Sequence, residues 1–84
     1  MIPYAFTKHA EAEFLKLPAE IQRRILHKVE QFLHAPDPLA FATRLTGTSR
    51  PWFRYRISDY RVIFEWEGAS LLILKVGHRR DIYR

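Results

Sequence analysis

Residues 52–66 read WFRYRISDYRVIFEW, and this stretch decides the fold. Side chains alternate in character on both sides of Ser58-Asp59, a residue pair typical of a tight turn. Before the turn, one face carries Phe53, Tyr55 and Ile57 and the other carries Trp52, Arg54 and Arg56. After it, one face carries Val62, Phe64 and Trp66 and the other carries Arg61, Ile63 and Glu65. This period of two predicts two β-strands joined as an antiparallel hairpin.

The segments around the hairpin extend it into a small sheet. Residues 71–76 are strongly apolar and predict a third strand in a central position. Residues 2–6 predict a short N-terminal strand, in which Pro3 marks the beginning or a sheet edge. The prolines at 36 and 38 and the stretch around Arg44 predict a loop before the hairpin.

Two amphipathic segments lie between the first strand and that loop. Thr7 stands at an N-cap position, and apolar residues recur with helical spacing over residues 8–17. Pro18 ends this helix and begins a second one, which runs to the prolines after residue 34. The predicted order is β-α-α-β-β-β, an α+β fold. Two helices cover one face of a four-stranded, mainly antiparallel sheet and leave the other face partly open.

Length, composition and charge limit the kinds of molecule that this protein is expected to bind. The 84 residues fit one domain, residues 1–84, and the formal net charge is +5. Residues 50–84 hold eight Lys and Arg against four Asp and Glu, so the positive excess lies in the second half. This charge favours a nucleic acid, an acidic protein or an anionic membrane surface as partner. With no cysteine, no apolar run near ~20 residues and no signal-peptide pattern, we expect a soluble cytoplasmic protein without a membrane partner.

Three arginines of the hairpin form the first candidate site. Arg54 and Arg56 lie two residues apart, about 7 Å along a strand, and Arg61 follows across the turn. Adjacent phosphates of an extended RNA strand have a similar spacing, and guanidinium groups fork onto phosphate oxygens. The alternative is a solvated basic face that only aids solubility. Unpaired like charges side by side are destabilising, which favours the ligand.

The C-terminal stretch VGHRRDIY, residues 76–83, forms the second candidate site. His78 can exchange a proton near neutral pH, Arg79 can hold phosphate, and Tyr83 can orient a phosphate or stack on a base. The alternative is a frayed basic tail. Further RNA-binding contacts are assigned to Trp52, the best candidate for stacking, and to Arg44, Lys75 and Arg80. No metal-ligand cluster or nucleotide-binding loop occurs in the sequence, so we expect neither a metal nor a cofactor.

The strings FRYRISDYRVIFE, residues 53–65, and LILKVGHRRDIY, residues 72–83, resemble the RelE/ParE toxin superfamily. The likeness covers nearly the whole chain and implies the RelE-like, microbial-ribonuclease-like fold. It also implies a toxin of a type II toxin–antitoxin pair, with a cognate antitoxin as partner. RelE-like members enter the ribosomal A site and cleave mRNA by attack of a 2′-hydroxyl on the adjacent phosphate. ParE-like members inhibit DNA gyrase instead.

The resemblance carries catalytic roles to six positions: Arg54, Arg56, Arg61, His78, Arg79 and Tyr83. We therefore expect a ribosome-dependent mRNA endoribonuclease, with a gyrase inhibitor or an inactive RNA-binding relic as alternatives. RelE-type nucleases often carry lysines where this chain has Arg54 and Arg56. Arginine does not give up its proton in proteins, so neither residue can act as a general base. Proton transfer then falls to His78, Tyr83, an acidic residue such as Glu65, or the ribosome.

Overall fold

The computed structural model describes residues 1–83, so Arg84, the end of the predicted tail, lies outside the described residues. The elements are β1 Tyr4–Phe6, α1 Lys8–Leu15, α2 Ala19–His34, a 3₁₀ turn Pro38–Phe41, β2 Ala42–Arg44, β3 Trp52–Ile57, β4 Tyr60–Trp66 and β5 Leu71–His78. The Thr7 side chain accepts a hydrogen bond from the Ala10 amide, as an N-cap does. Helix α1 ends two residues earlier than predicted, because Pro18 disfavours helical geometry at the residue before it.

The sheet confirms the predicted α+β class but has five strands rather than four. Their order is β1-β5-β4-β3-β2, with β1 parallel to β5 and all other pairs antiparallel. The additional strand, β2, was predicted as loop. Three residues are too few to show a period of two, and β2 pairs with β3 through its backbone. Among residues 1–83, no helix has the length and hydrophobicity needed to span a bilayer.

The hydrophobic core lies between the helices and one face of the sheet. Helix α2 contributes Ile25, Val29 and Leu33, each at most 2% exposed. The sheet contributes Tyr55, Ile57, Val62, Phe64, Leu71, Ile73 and Val76. The strand partners Tyr55, Val62 and Val76 follow one another across β3, β4 and β5, so the predicted alternation of the hairpin is confirmed.

The second face of the sheet is partly covered by the chain's own C-terminal turn, residues 79–83. Ile82 in this turn is 3% exposed and lies over Gly77, where an added Cβ would be 3.6 Å from its Cδ1 atom. On β4, Ile63 and Arg61 are buried on the same side, at 8% and 7% exposure. Residues 79–83 are therefore docked on the sheet rather than frayed.

Tyr55 predicts a loss of stability at alkaline pH. It is fully buried, its hydroxyl donates to the Pro38 carbonyl at 2.9 Å, and burial raises its pKa to about 12. A raised tyrosine pKa favours the neutral phenol in the folded state. This stability is complete below pH 10 and is lost as the pH rises from 10 to 12, by about 2–3 kcal/mol.

Urea unfolding of wild type and Tyr55→Phe between pH 7 and pH 11.5 measures this effect. At pH 7 the variant should be less stable by about 1–2 kcal/mol, because the Pro38 carbonyl loses its donor. The difference should shrink above pH 10. A constant difference over the whole range would contradict the assignment. Tyr4→Phe provides a second variant for comparison, because Tyr4 is another tyrosine with a raised pKa. Burial and the carboxylate of Glu30 raise the pKa of Tyr4 to about 12.

Candidate functional site

Strand register brings four basic residues together on the second face of the sheet. Arg54 on β3 lies opposite Ile63 on β4, and Ile63 lies opposite Lys75 on β5. One step along, Arg56 lies opposite Arg61. We call the surface formed by Arg54, Arg56, Arg61, Lys75 and the overlying Tyr83 the basic face. Its residues come from three strands and the C-terminal turn, so folding concentrates charge that is dispersed in the sequence.

The Arg54 side chain is oriented by one hydrogen bond, but not all of its nitrogen donors have acceptors. Its Nη1 atom donates a hydrogen bond to the Tyr83 hydroxyl at 2.9 Å. Its Nε atom is buried and has no hydrogen-bond partner within the described chain. Buried donors are nearly always paired, and an unpaired one is costly. The Arg54 guanidinium therefore carries one buried unpaired donor, while its hydrogen bond to Tyr83 is made by another nitrogen, Nη1.

Arg61 is the buried member of the basic face. Its Nη1 atom donates to the Ser58 and Tyr60 carbonyls, at 3.1 and 2.9 Å. Desolvation by burial lowers the pKa of Arg61, and the nearby charges of Arg56, Arg54 and Arg79 lower it further. Arginine still keeps its proton in proteins, so Arg61 is a fixed positive charge beside its exposed strand partner Arg56.

Carboxylates do not neutralise the centre of the basic face. Residues 1–83 contain three ion pairs, His9–Glu13, Arg24–Glu20 and Arg79–Asp59. None of them includes Arg54, Arg56 or Arg61. Positive groups that are held together without carboxylates to neutralise them attract a negatively charged ligand.

Hydrogen bonds and an ion pair hold the C-terminal turn against the sheet at both ends of the basic face. The Arg79 amide donates to the Asp59 carbonyl at 2.8 Å, and Arg79 Nε lies 3.6 Å from Asp59 Oδ1. At the other end, Lys75 Nζ donates to the Ile82 carbonyl at 2.9 Å. Lys75 thus holds the turn, and this contact of Lys75 with Ile82, like that of Arg79 with Asp59, was not predicted from the sequence. Beyond it, the Tyr83 side chain remains 56% exposed.

His78 lies away from the basic face. It pairs in register with Tyr60, and the two rings meet edge to face at 5.4 Å. Strand alternation places both on the helix side, because Gly77 faces Arg61. The Nδ1 atom of His78 accepts from the Arg80 amide at 3.1 Å, which places the proton of the neutral ring on Nε2. His78 and Arg80 line a groove of about 650 Å³ beside α1.

Arg44 also lies on the other side of the sheet. It pairs with Phe53, whose face is that of Tyr55, and its guanidinium lies 5.6 Å from the centre of the Phe53 ring. Its Nη2 atom donates to the Arg50 carbonyl at 3.3 Å. Of the predicted site residues, His78, Arg80 and Arg44 are therefore not brought to the basic face.

Trp52 lies beside the basic face and has a carboxylate partner. It shares the strand face of Arg54, and its Nε1 atom donates to Glu65 Oε1 at 2.9 Å. The two residues are opposite each other on β3 and β4. Within residues 1–83, no group of three or more histidine or acidic side chains is arranged to hold a metal ion.

The family model described as the ParE toxin of type II toxin–antitoxin systems matches residues 4–83. The chain belongs to the RelE/ParE toxin superfamily. It is thus a toxin of a type II toxin–antitoxin system, and the predicted family is confirmed. Comparison with proteins of curated description finds no match for this toxin.

Solved structures of similar fold agree with this assignment. A chain from a RelBE-type toxin–antitoxin complex of Mycobacterium tuberculosis is 27% identical, with a TM-score of 0.80 over 95% of this toxin and 93% of that chain. A chain from the RelE–RelB complex of Pyrococcus horikoshii is 29% identical, with a TM-score of 0.71 over 96% and 99%. The isolated RelE toxin of E. coli, at 21% identity and a TM-score of 0.74 over 93% and 84%, shares the fold.

Proposed function

We propose that this toxin is a ribosome-dependent mRNA endoribonuclease that stops translation by cutting mRNA in the ribosomal A site. The observation that carries the proposal is the Arg54 guanidinium, hydrogen-bonded to Tyr83 and flanked by Arg56 and Arg61 without a carboxylate partner. Such a group fits a phosphodiester whose charge grows during the reaction. The RelE chains of similar fold support the same choice.

The basic face supplies charge stabilisation and positioning. A 2′-hydroxyl of the RNA attacks the adjacent phosphorus, the P–O5′ bond breaks, and a 2′,3′-cyclic phosphate and a 5′-hydroxyl form. Arg54 and Arg56 hold the non-bridging oxygens, and Arg61 adds fixed positive charge beneath them. The Tyr83 hydroxyl oxygen accepts a hydrogen bond from Arg54, which leaves its O–H available as a donor. This O–H gives its proton to the departing 5′-oxygen and is reprotonated from solvent.

The proton of the 2′-hydroxyl needs an acceptor that the basic face lacks. Arginine cannot serve, and His78 lies on the other side of the sheet. Glu65 lies opposite Trp52, two residues and about 7 Å along the strand from Ile63, the partner of Arg54, so its carboxylate is offset from the phosphate that Arg54 holds. We assign the acceptor to the ribosomal decoding site, which explains why cutting would depend on the ribosome. The protein then acts in the cytoplasm, where translating ribosomes are.

A cognate antitoxin is the second proposed partner. The similar chains from M. tuberculosis and P. horikoshii were both solved in complexes with their antitoxins. An acidic or amphipathic antitoxin segment that covers the basic face would neutralise Arg54 and Arg56 and prevent phosphate binding.

Primer extension on mRNA from cells expressing the toxin tests the nuclease. We expect cuts phased with the reading frame, and we expect purified toxin to leave free RNA intact until translating ribosomes are added. Uncut mRNA in cells whose growth has stopped would overturn the proposal. Tyr83→Phe is the informative variant, because it removes the proposed acid and keeps the ring.

Inhibition of DNA gyrase is the second candidate function. It is favoured by the matching family, described as the ParE toxin, and by Arg54 and Arg56 at positions where RelE-type nucleases often carry lysine. Supercoiling assays with purified gyrase separate the two. Trapped gyrase–DNA cleavage complexes together with intact mRNA would replace the nuclease by this function.

A further inference from the structure

We propose that Trp52 and Glu65 form a subsite for a guanine base next to the basic face. The proposal rests on the proposed function, since it requires RNA on that face. It goes further by naming a base preference, which the phosphate-directed arginines cannot supply. Phosphate contacts position a nucleic acid, whereas contacts with base edges specify its sequence.

The position of the pair fits one nucleotide step from the phosphate clamp. Trp52 precedes Arg54 by two residues and shares its strand face, about 7 Å away. Glu65 lies opposite Trp52 and is likewise two residues from Ile63, the strand partner of Arg54. A nucleotide whose phosphate is held by Arg54 can therefore place a neighbouring base against the indole.

Trp52 offers a fixed aromatic surface. The indole is half-buried, and its hydrogen bond from Nε1 to Glu65 Oε1 at 2.9 Å sets the orientation of the ring. Bases stack on aromatic side chains with about 1–3 kcal/mol per base. Stacking alone accepts any base, so the choice of guanine must come from Glu65.

Glu65 offers unused acceptor capacity. Its Oε1 atom accepts one hydrogen bond from Trp52, and its Oε2 atom accepts none from the described residues. A carboxylate beside an RNA-binding face repels phosphate, and hydrogen bonds from a base to that carboxylate would offset the repulsion. Guanine is the base that presents two adjacent donors, N1–H and the N2 amine, to a carboxylate. Uracil presents one donor between two carbonyl oxygens, and adenine and cytosine each pair a donor with an acceptor.

Fluorescence anisotropy with dye-labelled 2′-O-methyl oligonucleotides tests the subsite, since these probes cannot be cut. The probes are a hexamer of uridines and three versions with one central guanosine, inosine or adenosine. We expect the guanosine probe to bind about 10-fold more tightly than the uridine probe. The inosine probe, which lacks the N2 amine, should lie between them. Glu65→Gln should remove the preference.

Glu67→Gln is the matched control, because Glu67 is an exposed carboxylate in the next turn that accepts a hydrogen bond from the Ser70 hydroxyl at 3.0 Å. The Glu67→Gln variant should keep the preference for the guanosine probe. Trp52→Phe should retain part of the binding to every probe, and Trp52→Ala should weaken binding of all probes alike. Thermal melting of each variant checks that the fold is kept.

The outcomes separate the two proposals. Equal affinity for all probes, with a steep salt dependence, would overturn the guanine subsite and leave the phosphate-binding face in place. A guanosine preference that survives in Glu65→Gln would also overturn it and would leave Glu65 as the partner of the Trp52 indole alone. Binding of none of the probes would overturn both the RNA surface and the subsite.

Discussion

Arg54→Ala should reduce mRNA cleavage by about 10²–10³-fold while leaving the fold intact. In the proposed reaction the side chain supplies donors to the phosphate, and in the structure its Nη1 atom donates to the Tyr83 hydroxyl at 2.9 Å. Loss of a donor that stabilises developing charge has this effect on the chemical step. Folding should change by no more than about 0.5 kcal/mol, because water can replace Arg54 as the partner of the exposed Tyr83 hydroxyl and the variant removes a buried unpaired donor.

Primer extension and growth after induction measure the effect of Arg54→Ala. Arg44→Ala is the matched control: it removes the same charge from the neighbouring strand, but Arg44 lies on the other face of the sheet. It should cut mRNA like wild type. Arg54→Lys keeps the charge without the planar fork and should give an intermediate rate. Equal loss in Arg44→Ala and Arg54→Ala would mean that net charge, rather than the basic face, determines activity.

Arg61→Ala should destabilise the fold by about 2 kcal/mol and also reduce activity. Two opposing effects meet at this residue. Removing Arg61 relieves repulsion from Arg56 but takes the donor from the carbonyls of Ser58 and Tyr60. Both hydrogen bonds come from one charged atom, Nη1, and such a charged donor contributes about 1.5–3 kcal/mol. Repulsion from Arg56, whose side chain is exposed, is smaller and is screened by salt, so the loss of the hydrogen bonds dominates.

Thermal unfolding measures the effect of Arg61→Ala, with an expected fall in Tm of about 10 °C for a domain of this size. Arg56→Ala is the matched control, since Arg56 is the exposed strand partner of Arg61. It should leave the Tm unchanged or slightly higher, because it relieves repulsion without breaking an observed hydrogen bond. An Arg61→Ala variant as stable as Arg56→Ala would show that the buried guanidinium does not hold the hairpin turn.

Much of the hairpin could be predicted because its information is local. The alternation of Phe53, Tyr55 and Ile57 against Trp52, Arg54 and Arg56 places each side chain on a face once the segment is a strand. The turn at Ser58-Asp59 follows from residue type, although Ser58 adopts a positive φ of 55°. Strand β2 could not be predicted, because three residues carry no periodic signal and its pairing depends on β3.

The candidate site was predicted only in part. The sequence placed Arg54, Arg56 and Arg61 together, since their separation along one hairpin is short. It could not place His78, because the face of a residue at the end of β5 depends on the register with Tyr60 and on the irregularity between Ile63 and Phe64. It also gave no signal that Tyr83 reaches Arg54, a contact 29 residues apart in the chain.

The sequence by itself determined the family, the α+β class and the basic hairpin, because these depend on residue type and on spacing within short segments. The tertiary structure decided which basic residues share a surface and which groups they touch. It buried Arg61 beside its strand partner Arg56, used Lys75 to hold the C-terminal turn, and directed His78 to the helix side. The physical reason is that strand register and the docking of the C-terminal turn are set by contacts between distant segments, which no local pattern encodes.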